Sequence, residues 1–266
     1  MLALTLPHDI PVEYWQEALV SSMRALRDPA IKPVVYPELD STQEQARRLQ
    51  AVPGAVIIAA RQTHGHGRLG RAWLDTGNDG VALTYVARYG RPDRISIESA
   101  VAVATSVDAC ASVVGGGMDH PDIGIKWPND IVVDGKKIAG ILVEQSDDRA
   151  FIGVGVNVGQ THWPSDIDQS AISLLQLGLP VRRIVLIQSI IETLHQVASL
   201  DDDVVTRMYM RRDVLVGSTC TFRVGDRKVR GKVLHVDPMK GLAVLTKNEG
   251  EVWLPAATTT VLKDWR

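Results

Sequence analysis

Three short stretches hold most of the residues able to do chemistry. The first, Arg61 to Arg71 (RQTHGHGRLGR), carries Arg61, Arg68 and Arg71, two histidines and no carboxylate, with glycines at 65, 67 and 70. Glycines bring backbone N–H groups close to a ligand, and guanidinium groups beside them suit anions. Trp73, just beyond, offers a flat face for a purine ring, so the stretch reads as a nucleotide site. The second stretch is Lys126-Trp127-Pro128-Asn129-Asp130 followed by Lys136-Lys137-Ile138-Ala139-Gly140. Lys126 and Asp130 bracket a proline at a strand end, where a rigid scaffold holds side chains that stay accessible. The third, Gly153-Val154-Gly155-Val156-Asn157-Val158, strips the side chains from one face of a strand. That pattern leaves either a slot for a ligand or a close approach for a helix.

Several other chemistries fail on context. Gly65-His66-Gly67-Arg68-Leu69-Gly70 has the spacing of a dinucleotide turn, but no helical apolar period follows it, and a Rossmann turn must open a helix. No P-loop sequence occurs. The histidines form no group with metal-ligand spacing, so no metal held by protein side chains is expected. Asp201-Asp202-Asp203 reads as a helix start rather than a Mg²⁺ site.

The elements that must position these residues follow from periodicity. A helix is expected from Pro11 to about Leu26, and Ser41 with Glu44 three residues on forms a capping box opening a second helix through Leu49. Ala55–Ala60 and Val81–Arg88 read as buried strands, and a long helix runs from about Arg94 to Val114. Four strand-like runs follow: Ile123–Trp127, Ile131–Val133, Lys137–Val143 and Phe151–Val156. Asp134-Gly135 signals a hairpin between the second and third of them. Helices are expected at Arg182–Leu200 and Val204–Arg212. After Gly217, about 50 residues of short β runs separated by turns indicate a small all-β barrel appended to an α+β domain.

The 266 residues carry 29 basic and 31 acidic side chains, a formal charge of −2 that argues against nucleic-acid binding through bulk charge. Locally, Thr221 to Lys240 holds six cations against Asp226 and Asp237; with Phe222 the only interleaved aromatic, a solvated barrel face or a contact to an acidic protein is expected there ahead of RNA binding. Two distant cysteines, Cys110 and Cys220, fit a reducing cytoplasm. No apolar run nears the roughly 20 residues of a membrane helix, and the N-terminus lacks the pattern of a signal peptide.

Taken in order, Asp40-Ser41-Thr42, Gln62 with GHGRLGRAW, KWPND, KIAGILVE and GVGVNV resemble the biotin protein ligases, biotin–[acetyl-CoA-carboxylase] ligase, across about residues 34 to 160. The resemblance implies an α+β fold: a mixed β-sheet catalytic domain packed with helices over 1–215, with a helical extension over 1–33, and an SH3-like barrel over 216–266. It implies ATP-dependent ligation of biotin to a lysine of a carboxylase's carrier domain through biotinyl-5′-adenylate, with ATP, Mg²⁺ and biotin required. Ser41, Thr42 and Gln62 would hold the ureido head of biotin, Gly65, His66, Gly140 and Gly155 would line its slot, and Arg68 and Arg71 would hold phosphates. Trp73 would stack on adenine, Lys137 would meet the biotin carboxylate and the α-phosphate, Lys126 and Asp130 would stand beside it, and Asn157 would lie near the adenylate. The loop from 64 to 76 is expected to order on ligand binding. The 33 residues before the first core strand are too few for a DNA-binding domain, so no DNA or membrane partner is expected; a homodimer is allowed for. Lipoate or octanoate ligation, or a non-catalytic biotin-binding module, are the alternatives. One departure stands out: the family usually reads GRGRxGR, and His66 takes the place of the first arginine.

Overall fold

A computed structural model of the chain describes residues 9–24, 31–74, 79–90, 92–116, 120–165 and 167–262. Its centre is a seven-stranded mixed sheet whose elements are, in chain order, β1 (Lys32–Leu39), β2 (Ala55–Gln62), β5 (Gly80–Arg88), β6 (Gly124–Lys126), β7 (Asp130–Val133), β8 (Lys136–Ser146) and β9 (Arg149–Asn157). They lie side by side as β1-β2-β5-β9-β8-β7-β6. β1 and β2 run parallel, joined through α2 (Thr42–Arg48), and every other neighbouring pair is antiparallel. Asp134 and Gly135 turn β7 into β8 with φ of 48° and 78°, as an Asp-Gly hairpin turn requires.

Strand alternation divides the sheet into two unlike faces. Val56, Ile58, Leu83, Ile152, Val154 and Val156 point to one side and form a core with α1 (Trp15–Met23), α3 (Pro92–Val114) and α4 (Arg183–Ala198). On the other side Ile57, Val86 and Phe151 pack under Ala46 of α2 in a second, smaller cluster. Beyond α2 that face carries almost no side-chain bulk. The register aligns Ala59, Ala82, Gly155, Gly140 and Asp130 across five strands, β2 to β7, so a shallow groove crosses the sheet.

The N-terminal helix is shorter than its apolar period suggests, a 3-10 turn at Val12–Tyr14 followed by α1; Leu26 lies outside the described residues. Gln16 of α1 pairs with the edge strand β1 through its amide, donating to the Pro33 carbonyl and accepting from Val35 N–H. Asp9 accepts from the backbone N–H groups of Arg183 and Ile184 and so caps α4 from a distant part of the chain. The capping box of α2 is only half formed: Ser41 Oγ accepts from Glu44 N–H, but Ser41 N–H donates to Asp40 instead, and Glu44 pairs with Arg47.

One expectation is corrected. The stretch Arg94–Val114 of α3 is long and apolar enough to cross a membrane by length and composition, contrary to the reading that no run approaches that size. Its residues Val101 to Ala104 and Val107 are fully buried in the core, which accounts for the apolar run. The C-terminal strands β10 (Thr219–Val224), β11 (Arg227–Asp237), β12 (Gly241–Thr246), β13 (Gly250–Pro255) and β14 (Thr259–Val261) form an antiparallel sheet in the order β13-β12-β11-β10-β14. This is the small antiparallel unit expected of the C-terminal segment, and among the described residues no pairing of β13 with β14 closes it. Turn signals fix strand number and antiparallel order, but closure needs edge pairing that no local pattern encodes. α5 (Asp202–Met210) begins directly after Asp201, as the aspartate run suggests.

Candidate functional site

The groove opens into a cavity of about 250 Å³ that gathers all three sequence stretches. At its inner end Ser41, Thr42 and Gln62 line the wall. Gln62 Oε1 accepts from Thr42 N–H at 2.8 Å and from the Thr42 hydroxyl at 3.2 Å, and the Thr84 hydroxyl donates to Thr42 Oγ1 at 2.8 Å. This chain commits the Gln62 carbonyl and the Thr42 proton inward, which fixes how the two side chains face the cavity. Gly65 does not line the cavity; it packs on Gln62, and a Cβ there would stand 2.5 Å from Gln62 Nε2.

The groove floor is Gly155 and Gly140, paired across β9 and β8. The Trp73 ring lies flat on it: a Cβ at Gly155 would stand 2.6 Å from Cζ2 and 2.9 Å from Cδ2, and one at Gly140 3.1 Å from Cζ3. Trp73 is held there by the two-stranded ribbon β3 (Gly65–His66) and β4 (Ala72–Trp73), in which Gly65 pairs with Trp73 and His66 with Ala72. The expected mobile loop therefore contains a short hairpin, and its residues 75 and 76 lie outside the described residues. Gly153, two residues before Gly155, has a different role: Gln43 fills its notch and donates to the Leu142 and Phe151 carbonyls.

At the outer end four cations converge. Lys137 Nζ sits 2.6 Å from Asp130 Oδ1 and 5.6 Å from the centre of the Trp73 ring. Arg68 donates to Asn129 Oδ1 at 3.3 Å, and Arg71 and Lys126 line the same wall. Burial pushes the Arg68 and Lys126 pKa values down, against the pull of Asp130. Among the described lining residues Asp130 is the only carboxylate, so this end of the cavity is strongly positive. Among the described residues no group of three or more carboxylates, histidines or cysteines could hold a metal ion, and Asp130 is engaged by Lys137, so a Mg²⁺ here would take its ligands from phosphates and water.

The turn that presents Lys126 and Asp130 contains the cis bond Trp127–Pro128 and is anchored on three sides. Asn129 donates to the Ile141 carbonyl and accepts from Ile141 N–H through its own carbonyl. The Tyr209 hydroxyl donates to the Pro128 carbonyl at 3.4 Å, and the Trp127 indole donates to the Pro238 carbonyl at 3.2 Å, joining the turn to the C-terminal sheet. That sheet closes the cavity with Thr260, Val261 and Leu262. Asn157, like Gly65, does not line the cavity. It is buried, and its amide donates to the Lys137 and Ile172 carbonyls at 3.1 Å, away from the cavity lining. Gln43, Thr84 and Asn129 were not singled out in the sequence.

Residues 35–160 match the model of the biotin/lipoate A/B protein ligase family. The chain is 30% identical over 239 residues to the bifunctional ligase/repressor BirA of Bacillus subtilis, an alignment covering 82% of this chain and 70% of that protein. The chain belongs to the biotin protein ligase family. It is also 37% identical over 133 residues to the biotin–[acetyl-CoA-carboxylase] ligase of Mycobacterium tuberculosis, covering 48% of this chain and 47% of that enzyme. In fold it is similar to the biotin protein ligase of Aquifex aeolicus in complex with biotin and ATP, with a TM-score of 0.75 at 23% identity over 86% of this chain and 98% of that one.

Proposed function

We propose that this ligase joins biotin to a lysine of a biotin carboxyl-carrier domain in two steps, using MgATP. The observation that carries the reading is the groove of Ala82, Gly155 and Gly140, which runs from the Thr42–Gln62 polar end to the cluster of Arg68, Arg71, Lys126 and Lys137. A ligand with a small polar head, a thin apolar body and a terminal carboxylate matches that sequence of surfaces. Ser41, Thr42 and Gln62 take the ureido head, and the carboxylate reaches Lys137.

In the first step a biotin carboxylate oxygen attacks the α-phosphorus of ATP, and the bond to the leaving pyrophosphate breaks. Two anions must meet, at a repulsion of about 4 kcal/mol for a 4 Å separation and an effective dielectric of 20. Lys137, Arg68, Arg71 and Lys126 offset that repulsion from fixed positions, and most of all as charge shifts onto pyrophosphate. Asp130 orients Lys137. Biotin and the Trp73 ring compete for Gly155, so biotin displaces the ring, which is then free to stack on adenine. In the second step the neutral ε-amino nitrogen of the acceptor lysine attacks the anhydride carbonyl; the carbon–oxygen bond to AMP breaks, AMP leaves with the electron pair, and the amide nitrogen loses its proton.

On the same reading the chain divides into a catalytic part over 1–215 and an SH3-like part over 216–266, the acceptor belongs to a biotin-dependent carboxylase, and the enzyme acts in the cytoplasm. Asn157 positions the backbone of Lys137 instead of touching the adenylate. The deciding experiment is pyrophosphate release from ATP with biotin, lipoate or octanoate, followed by mass spectrometry of a carrier domain. Release with biotin alone and a single added biotinyl group are expected. Release with lipoate or octanoate would refute it.

A further inference from the structure

The outward face of the C-terminal sheet carries a patch that ligation of biotin does not use. Arg223, Lys228, Arg230 and Lys232 are all exposed there. The β10–β11 register sets Arg223 directly opposite Lys228, Thr221 opposite Arg230 and Thr219 opposite Lys232, so the four cations share one face. Like charges directly opposite on neighbouring strands destabilise a sheet. Among the described residues, Arg223, Lys228 and Lys232 form no ion pair, although Arg227 and Lys240 nearby pair with Glu249 and Asp237. The face continues into β12 and β13, where Leu245 pairs across from Lys232, and where Leu245 and Trp253 are each 47% exposed. At its other edge Thr260 pairs with Arg223 and also lines the catalytic cavity. From the cavity mouth outward the face therefore reads Thr260, Arg223 and Lys228, Arg230 and Lys232, then Leu245 and Trp253 with the exposed Glu251 opposite Leu245 as its one carboxylate on β13.

We infer that this face is where the acidic surface of the acceptor carrier domain docks. The inference rests on the proposed function, because it is the second step that brings a protein to the cavity mouth. On this inference the acceptor lysine enters beside β14, where Thr260 lines the cavity, so that the acceptor overlies the Thr260–Arg223 edge. Its lysine approaches four cations in the cavity and four more on the sheet, so a negative surface around that lysine speeds its approach. Leu245 and Trp253 supply the apolar, aromatic anchor typical of a protein contact, with the cations between anchor and cavity.

The test separates docking from chemistry. Wild type, R223E/K228E, the milder R223Q/K228Q and W253A are compared in three assays: biotin-dependent pyrophosphate release without acceptor, transfer of biotin from the adenylate to hydroxylamine, and transfer to a purified carrier domain with an acidic surface. R223E/K228E is expected to lower kcat/KM for the carrier by about tenfold to a hundredfold at low salt, with the gap narrowing as salt rises. R223Q/K228Q and W253A are expected to give smaller losses, with pyrophosphate release and hydroxylamine transfer unchanged in all three. Carrier transfer equal to wild type would overturn the docking face, and so would an equal loss in the hydroxylamine assay. Salt-sensitive binding of an oligonucleotide that is lost in R223E/K228E while carrier transfer is kept would assign the face to nucleic acid and overturn it too. Absence of biotin-dependent pyrophosphate release in wild type would instead refute the proposed function.

Discussion

Replacing Gly155 by alanine adds one methyl group to the floor of the groove, and its consequence follows from the geometry. The new Cβ would stand 2.6 Å from Trp73 Cζ2 and 2.9 Å from Cδ2, so the ring must retreat by about 1 Å to reach the roughly 3.5 Å of an ordinary carbon contact. In the free protein the ring has room, because it borders an open cavity. With biotin lying on Gly155 under the proposed reading, the added methyl group meets the ligand itself, whose two ends are fixed by Gln62 and Lys137. Overpacking of that kind costs about 1–3 kcal/mol, and at 1.4 kcal/mol per decade the affinity for biotin falls by roughly fivefold to 150-fold. The KM for biotin in pyrophosphate release, or titration calorimetry, reads this directly, and thermal melting reads stability. G155A is expected to melt within a few degrees of wild type. Two glycine controls frame the result: G90A, where a Cβ has nothing within 4 Å, should change neither quantity, and G153A, which pushes the Gln43 amide off its two carbonyls, should lower stability by about 1–3 kcal/mol. A G155A enzyme with wild-type affinity for biotin would refute the placement of biotin in this groove.

Arg183 is buried, donates to Asp9 and to the Ala60 carbonyl at 3.1 Å, and lies 4.8 Å from the Trp15 ring centre; because Asp9 keeps the backbone N–H groups of residues 183 and 184, R183A is expected to lose about 1–3 kcal/mol in denaturant unfolding, and an unchanged stability would contradict the pairing. Burial pushes the Lys126 pKa below the ordinary 10.5, so its charge is lost earlier than a free lysine's as pH rises; the KM for ATP should climb on an alkaline limb that K126R abolishes, and an identical limb in K126R would sink the assignment. His66 is exposed on β3 at the cavity wall, and an arginine there adds a charge-assisted donor of about 1.5–3 kcal/mol; H66R should slow adenylate dissociation by roughly one to two decades, whereas a faster off-rate would mean the imidazole serves the site better.

What was legible in the sequence is what short spacing encodes. Asp134-Gly135 set the hairpin that brings Lys137 beside Asp130, and Gly153 and Gly155, alternating along one strand, stripped that face of its sheet. The cationic loop was legible for the same reason, since its arginines and glycines lie within eleven positions. Contacts between distant positions were not. Thr84 sits in an otherwise strand-like apolar run, and its role appears only because β5 carries it to Thr42, 42 positions away. The signal was there in weak form: a single hydroxyl in a buried run needs a partner. Asn157 is the converse case, a polar residue beside a glycine motif whose amide donates to two backbone carbonyls 20 and 15 positions away, a tie that no local spacing indicates. Trp73 was read as a face for adenine, and nothing in its neighbours indicates that its ring lies against Gly155 and Gly140.

The charge at the outer end of the groove leads to one more expectation. Burial lowers the Arg68 and Lys126 pKa values, which means that holding both charged in the free protein costs free energy. Asp130 is engaged by Lys137 at 2.6 Å and cannot balance four cations alone. The folded protein therefore carries a repulsion that a polyanion relieves, and a ligand that binds only the folded state stabilises by RT ln(1 + [L]/Kd). Pyrophosphate should raise the melting temperature more than adenosine at equal concentration. That gain should fall in K126A and should shrink with salt, because it is electrostatic. Adenosine stabilising more than pyrophosphate would place nucleotide affinity in the Trp73 ring rather than in the cations.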